Sequence, residues 1–166
     1  MMPNFIAVAL AALIPMLVGF TWYHPKIFGT KWMNLAGLTE EKMKGANMPL
    51  IFFLSYVFSF LMALAIISIV IHQGHVYSIL VKAPGFGVPG SPVQTMLEGF
   101  MRDYGRNFRT FKHGVFHGVL FTIFFVLPLI ATNGLFERKS FKYIFINTGY
   151  WLVTIALMGG VICQFA

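Results

Sequence analysis

Residues 22–37 read W-Y-H-P-K-I-F-G-T-K-W-M-N-L-A-G, and they mark the place where a long apolar segment ends and a surface segment begins. Residues 3–23 carry no charged side chain, and about 20 apolar residues form a helix that crosses a bilayer. Pro25 ends this helix because it has no backbone N–H. Beyond it, Phe28 and Trp32 lie four residues apart among lysines and polar residues. That pattern predicts an amphipathic helix in the membrane interface.

The composition is that of a membrane protein. Of 166 residues, 58% are hydrophobic and 10% are charged, and the mean hydropathy is +0.77. A soluble domain has about 25% charged residues. The net charge is +7, but the basic residues lie between apolar segments rather than in one patch. This distribution favours lipid headgroups over nucleic acid as the partner.

Three further apolar segments complete the membrane domain. Pro15 and Pro128 lie inside apolar spans and predict kinks. Loop 2, about residues 74–111, contains a linker rich in Gly, Pro and Ser and then a predicted amphipathic helix over 92–111. The sequence therefore predicts an all-α polytopic membrane protein, a single domain with four transmembrane helices in two hairpins plus short amphipathic interfacial helices. The predicted spans are 3–23, 49–72, 113–133 and 141–165.

The predicted helix of loop 2 has an aromatic side and a basic side, which suits a helix lying on the membrane surface. Packing of the aromatic side on a partner protein is the alternative. The aromatic residues are Phe100, Tyr104 and Phe108, and the basic residues are Arg102, Arg106 and Arg109.

Basic residues also predict the orientation in the membrane. Loops 1 and 3 carry seven Lys and Arg residues, against five in and beside loop 2. Because basic loops stay in the cytoplasm, we expect both termini on the periplasmic side.

A group of polar and aromatic residues is predicted on the side of loops 1 and 3. A carboxylate and amides at the edge of the hydrocarbon are costly unless they meet a partner, so they are candidates for binding a cation, a headgroup or a polar solute. The alternative is structural: Glu137 pairs with a lysine, the aromatic residues form an interfacial belt, and the asparagines join helices. The group comprises Trp22, Tyr23, His24, Trp32, Asn133, Glu137, Asn147, Tyr150 and Trp151.

Four histidines are predicted on the opposite side, where span 2 ends and span 3 begins. Imidazoles on neighbouring helices are ligands for a transition metal or for haem iron. Gly114 and Gly118 would leave room for a flat cofactor beside them. The alternative is an interfacial role without a ligand, and no cofactor is otherwise predicted. These histidines are His72, His75, His113 and His117.

No pattern of classical catalysis is present in the sequence. It contains no nucleophile elbow, phosphate-binding loop or dinucleotide fingerprint. The one cysteine, Cys163, allows neither an intramolecular disulfide nor a cysteine-based metal site. We therefore expect a protein that is not an enzyme.

Three stretches carry a resemblance to a known family. They are W-Y-H-P-K-I-F-G-T-K-W-M at 22–33 with G-L-T-E-E at 37–41, T-N-G-L-F-E at 132–137, and I-N-T-G-Y-W-L-V at 146–153. The chain resembles the small bacterial membrane proteins of the domain of unknown function 1761 family. This resemblance implies four helices in the inner, cytoplasmic membrane and brings no activity, substrate or catalytic residue. The long loop 2 and the His113/His117 pair depart from the usual pattern of the family, and F-R-T-F-K-H-G at 108–114 resembles relatives from the Bacteroidetes.

The first functional hypothesis is a non-enzymatic accessory or assembly component that binds lipid and other membrane subunits, or a second copy of itself. The second is a transporter or channel for a small solute or ion, with its polar site around Glu137. The third is a metal or haem protein with histidine ligands.

Overall fold

The structure, a computed structural model, describes residues 3–166, and in that range it is helical without strands. Two turns of wider, π-helical geometry lie at Pro25–Gly29 and Thr122–Val126. The α-helices are α1 Phe5–Ala11, α2 Ile14–Trp22, α3 Thr30–Ala36, α4 Glu40–Met43, α5 Met48–Val70, α6 Gln73–Leu80, α7 Pro92–Tyr104, α8 Phe111–Phe121, α9 Leu127–Phe136 and α10 Phe141–Phe165.

These helices form four segments that are long and apolar enough to cross a membrane, which confirms the predicted architecture by length and composition. We call them spans 1 to 4. They are Phe5–Trp22, Met48–Val70, Phe111–Phe136 and Phe141–Phe165.

Both mid-span prolines mark irregular backbone, as predicted. Pro15 lies in the first turn of α2, directly after the break that separates α2 from α1. Pro128 lies in the first turn of α9, and the π-helical turn precedes it. Proline supplies no N–H to the preceding turn, so the helical ladder is interrupted or widened at both positions.

The core is built around α10. In the most apolar 18-residue stretch of α10, 50% of the residues are buried, compared with 17–28% in the corresponding stretches of the other three spans. Ile155, Met158 and Ile162 are almost fully buried there and belong to the main hydrophobic cluster. Span 4 therefore acts as the central helix, and the remaining spans pack around it.

Glycines bring α8 into backbone contact with α10. A Cβ atom added to Gly114 would overlap the carbonyl group of Gly159, and one added to Gly118 would lie 2.6 Å from the carbonyl oxygen of Ile155. Small residues at such positions let two helices approach closely in a membrane. This glycine face of α8 is therefore a helix contact.

The helix of loop 2 is shorter than predicted. It begins as expected at Pro92, after Ser91 accepts a hydrogen bond from Gln94 N, but it ends at Tyr104 rather than at residue 111. Phe108 has a positive φ of 61°, a conformation with which an α-helix does not continue. The residues after α7 therefore turn back toward the start of α8.

Candidate functional site

Five members of the polar group on the side of loops 1 and 3 form a hydrogen-bonded network around Asn147. We call this network the roof cluster; its members are Trp22, Tyr23, Trp32, Asn147 and Tyr150. Asn147 Oδ1 accepts from the Tyr23 hydroxyl at 3.1 Å and from Trp32 Nε1 at 3.2 Å. The Asn147 amide donates to the carbonyl of Tyr143 at 2.8 Å. Trp22 Nε1 donates to the Ile146 carbonyl and the Tyr150 hydroxyl to the Pro15 carbonyl.

The roof cluster joins loop 1 to α10 and has its polar groups satisfied within the protein. Burial raises the pKa of Tyr23, and the nearby Tyr150 and Tyr143 raise that pKa further. The Tyr23 hydroxyl therefore stays protonated and donates its hydrogen bond to Asn147 Oδ1. This geometry indicates a structural role, in which the cluster holds loop 1 against α10.

Four predicted members lie outside this network. Asn133 and Glu137 are exposed on α9 and at its end, so the structure does not bring them to Asn147. His24 Nδ1 accepts from Lys26 N and caps the π-helical turn. Trp151 packs on Tyr150 and on the hydrophobic core. The predicted site with a carboxylate at its centre is therefore not assembled.

A cavity of about 670 Å³ lies between α2 and α5, beside the roof cluster. Its lining is mostly apolar, with Phe20, Phe52 and Phe58 among the residues, and His24 lies at the polar end with Tyr23. Such a lining suits a lipid chain better than a charged solute.

At the other end of the protein three histidines converge, and we call His72, His113 and His117 the histidine triad. His72 Nε2 lies 3.0 Å from His113 Nε2 and 3.2 Å from His117 Nε2. The three ligand atoms lie within 4.8 Å of one another, and each residue is half-buried. The triad is the one group of three or more metal-ligating side chains found among the described residues 3–166.

Local backbone structure explains how the triad assembles. Span 2 ends at Val70, and Ile71 is extended, with φ −112° and ψ 91°, so the chain changes direction just before His72. Thr110 begins α8 by accepting a hydrogen bond from His113 N. His113 and His117 are four residues apart and therefore share one helix face.

Cys163 fixes the two segments that carry the triad. Its side chain is fully buried, and its Sγ lies 3.3 Å from the carbonyl oxygens of both Val70 and Phe108. Val70 precedes His72 by two residues, and Phe108 lies shortly before α8. Its one S–H is shared between the two carbonyls, so the thiol joins α10 to the end of span 2 and to loop 2 and is not a ligand of the triad.

Hydrogen bonding uses the nitrogens of the triad less fully than a metal ion would. A neutral imidazole Nε2 offers either one N–H or one lone pair. His72 Nε2 lies within hydrogen-bonding distance of both other nitrogens, so a single N–H on His72 would have to be shared between two lone pairs. A metal ion takes all three lone pairs. Zinc–nitrogen bonds of about 2.0–2.1 Å at tetrahedral angles separate the nitrogens by roughly 3.3–3.4 Å. The two separations from His72 are close to this value, and the third is at most 4.8 Å.

The electrostatics favour neutral imidazoles. Burial lowers the pKa of His72, and the neighbouring His113 and His75 lower that pKa further. At neutral pH, His72 therefore presents a lone pair rather than a proton. No carboxylate or thiolate of the described part of the chain shares the site.

The fourth predicted histidine and the predicted haem do not fit this site. His75 is exposed, and its ring stacks on His72 with the centroids 6.4 Å apart. The space beside Gly114 and Gly118 is filled by the backbone of α10, so a flat macrocycle has no room there. Three nitrogens converging on one point also differ from the axial ligands of haem, which bind opposite faces of the iron. The triad therefore suits a single ion.

The cleft beside His72 has a volume of about 280 Å³. Phe100, Tyr104 and Phe108 line it together with His72. The predicted aromatic side of loop 2 thus borders the triad. This contact between loop 2 and the histidines was not predicted from the sequence. Both features lie near the same helix ends in the sequence, and this is the signal from which the relation could have been predicted.

The predicted basic surface divides into two parts. Arg102 and Arg106 are exposed, and Arg102 pairs with Asp103 at 2.8 Å. Arg109 is half-buried, and its guanidinium donates to the carbonyls of Cys163 and Ala166 at the end of α10. Arg109 is therefore a helix cap rather than part of a lipid-binding or partner-binding surface.

Comparison with known sequences identifies one family. The model of the family described as "Protein of unknown function (DUF1761)" matches residues 6–163. No curated protein and no solved structure matches the chain.

Proposed function

The chain belongs to the DUF1761 family, whose function is unknown, and we propose that it is a membrane protein that binds one transition-metal ion through the histidine triad. The observation that carries this proposal is the convergence of three Nε2 atoms from span 2 and span 3, at 3.0 and 3.2 Å from His72. Imidazole is a ligand of zinc, copper, nickel and iron alike.

The protein would hold the ion between the end of span 2 and the start of span 3. His72 follows span 2, and the other two ligands lie in the first turns of α8. Bound metal would therefore tie span 2 to span 3 at the membrane boundary. Three ligands leave a further coordination position, and the cleft lined by α7 residues borders His72. This arrangement supports an accessory role in which the ion is held or passed on.

The experiment is metal analysis of the purified protein in detergent after equilibration with zinc, copper, nickel or iron. The double variant His113→Asn/His117→Asn removes two ligands, and His75→Asn serves as the matched control because it removes a histidine outside the triad. We expect one ion per chain in the wild type and in the control, and loss of stoichiometric metal in the double variant. Equal metal content in all three proteins, or none in the wild type, would contradict the proposal.

A second function is supported by α7, which would dock the protein on another membrane subunit. The exposed fractions of Phe100 and Tyr104 are 42% and 53%, and Arg102 and Arg106 are exposed nearby. A photo-crosslinking residue at Phe100 should capture a protein in native membranes. The same residue at Phe20, which is 83% exposed on span 1, should capture lipid. Lipid adducts alone at both positions would argue against docking through α7.

A further inference from the structure

The cavity between α2 and α5 contains two hydroxyl groups that have no hydrogen-bond partner in the protein. Ser55 and Ser59 of α5 line this cavity, and Ser59 is only 5% exposed. Within residues 3–166 neither hydroxyl makes a hydrogen bond, whereas the hydroxyls of Ser68 and Thr122 each donate to a carbonyl of the preceding helical turn. A buried hydroxyl without a partner is costly. The protein therefore leaves two donors unused inside an otherwise apolar cavity.

The two serines are placed so that one group of a bound molecule can reach both. They are four residues apart on α5 and share one helix face, where such neighbours have Cβ atoms about 5–6 Å apart. The hydroxyl hydrogens of Tyr23 and Tyr150, which also line the cavity, are already donated to Asn147 and to the Pro15 carbonyl. A carbonyl oxygen has two lone pairs and can accept two hydrogen bonds. The two serine hydroxyls therefore match a carbonyl group of a ligand.

The depth of the serines in the membrane argues against a charged ligand. Ser55 and Ser59 follow Met48, the first residue of span 2, by 7 and 11 residues, which is about 10 and 16 Å along the helix. Because the hydrocarbon core is about 30 Å thick, Ser59 lies near its middle. Among the described residues that line the cavity there is no Lys, Arg, Asp or Glu, and a charge at this depth is costly without a partner. Neither a phospholipid headgroup nor a fatty-acid carboxylate suits these serines.

From these observations we propose that the cavity binds an uncharged, lipid-soluble carbonyl compound, the chemistry of a quinone with an apolar tail. Its carbonyl oxygen accepts hydrogen bonds from Ser55 and Ser59, and its ring lies among the aromatic side chains of the lining, which include Phe52 and Trp151. Phe20 also lines the cavity and is 83% exposed on span 1, so the tail can leave toward the lipid. The volume of about 670 Å³ lies in the usual range of ligand pockets, about 300–1,000 Å³.

The test compares decylbenzoquinone with decylbenzene, which has the same ring and tail without the carbonyl groups. The variant Ser55→Ala/Ser59→Ala removes both hydroxyls and keeps the shape of the cavity. Ser68→Ala is the matched control, because it removes a hydroxyl of the same helix that does not line this cavity. Binding of the quinone in detergent is measured as quenching of tryptophan fluorescence, since Trp151 lines the cavity. Decylbenzene is then added as a competitor.

We expect the wild type and Ser68→Ala to bind one quinone per chain with the same affinity. The double alanine variant should bind the quinone at least about fivefold more weakly, because one hydrogen bond corresponds to a change of about fivefold. The affinity for decylbenzene should be the same in all three proteins. Because the two hydroxyls have no partner in the protein, the double variant should also unfold at the same denaturant concentration as the wild type.

Equal quinone affinity in the wild type and the double variant, or no saturable binding to the wild type, would overturn the proposal. An equal loss of affinity for decylbenzene would also overturn it, since the cavity would then have changed shape rather than lost hydrogen bonds. Native mass spectrometry adds a separate test: a phospholipid held at one per chain and not displaced by the quinone would assign the cavity to membrane lipid instead. None of these results bears on the metal proposed for the histidine triad.

Discussion

Replacement of Gly114 by alanine tests whether the contact between α8 and α10 positions the histidine triad. The new Cβ would overlap the Gly159 carbonyl and lie 2.6 Å from the Cβ of Cys163. Carbon atoms pack at about 3.5–4.0 Å, so the helices must separate by roughly 1 Å. Overpacking costs about 3 kcal/mol at its upper end, and alanine regains about 1 kcal/mol of helix propensity. The net destabilisation should be about 2 kcal/mol.

Unfolding in mixed detergent and denaturant, followed by tryptophan fluorescence, measures this loss. Gly74→Ala is the matched control, because Gly74 lies in α6 with no atom within 4 Å of an added Cβ. That variant should be neutral or more stable by up to about 1 kcal/mol. Metal affinity should fall in Gly114→Ala alone, since α8 moves away from His72. Wild-type stability in Gly114→Ala, or an equal loss in the control, would refute the packing argument.

Three further predictions concern the roof cluster and Cys163. Because burial raises the folded-state pKa of Tyr23, its contribution to stability is complete below the ordinary tyrosine pKa of about 10 and is lost as pH rises above it; unfolding measured at about pH 8 and about pH 11 should show a smaller alkaline loss in Tyr23→Phe than in the wild type. Asn147→Ala removes the acceptor of Tyr23 and Trp32 and should cost about 2–4 kcal/mol in the same unfolding assay, since each buried donor left unpaired costs about 1–3 kcal/mol, while the exposed Asn133→Ala should stay within about 0.5 kcal/mol of the wild type. Cys163→Ala should weaken zinc binding, measured in detergent by competition with a chromophoric chelator, without removing a ligand, and Cys163→Ser should restore part of the affinity because its hydroxyl can also donate; unchanged affinity in Cys163→Ala would show that the thiol does not position the triad.

Features encoded by local periodicity were predictable from the sequence. The four spans, the short helices of loop 1 and the start of α7 at Pro92 follow from apolar length, capping residues and proline. The i, i+4 spacing of His113 and His117 likewise placed both on one face. Each of these features depends on residues that are close in the chain.

Features that depend on helix rotation or on distant backbone were not predictable. The glycines of α8 suggested that there was space beside the helix for a cofactor, but the backbone of the facing residue, Gly159, fills that space. Asn133 and Glu137 lie on the outward side of α9 because that helix packs through Gly134, which is buried. His72 joins the triad while His75 does not, because the extended Ile71 redirects the chain. Only tertiary contacts decide these orientations.

The central position of α10 has a consequence for biogenesis. Spans 1 to 3 are synthesised before the helix on which they pack, so their glycine and histidine faces meet only lipid until α10 enters the membrane. During that interval the inserted chain has no complete core, and it is open to membrane quality-control proteases. Chains arrested before Phe141 should therefore have a much shorter lifetime in cells than the complete chain, as a pulse-chase experiment would measure.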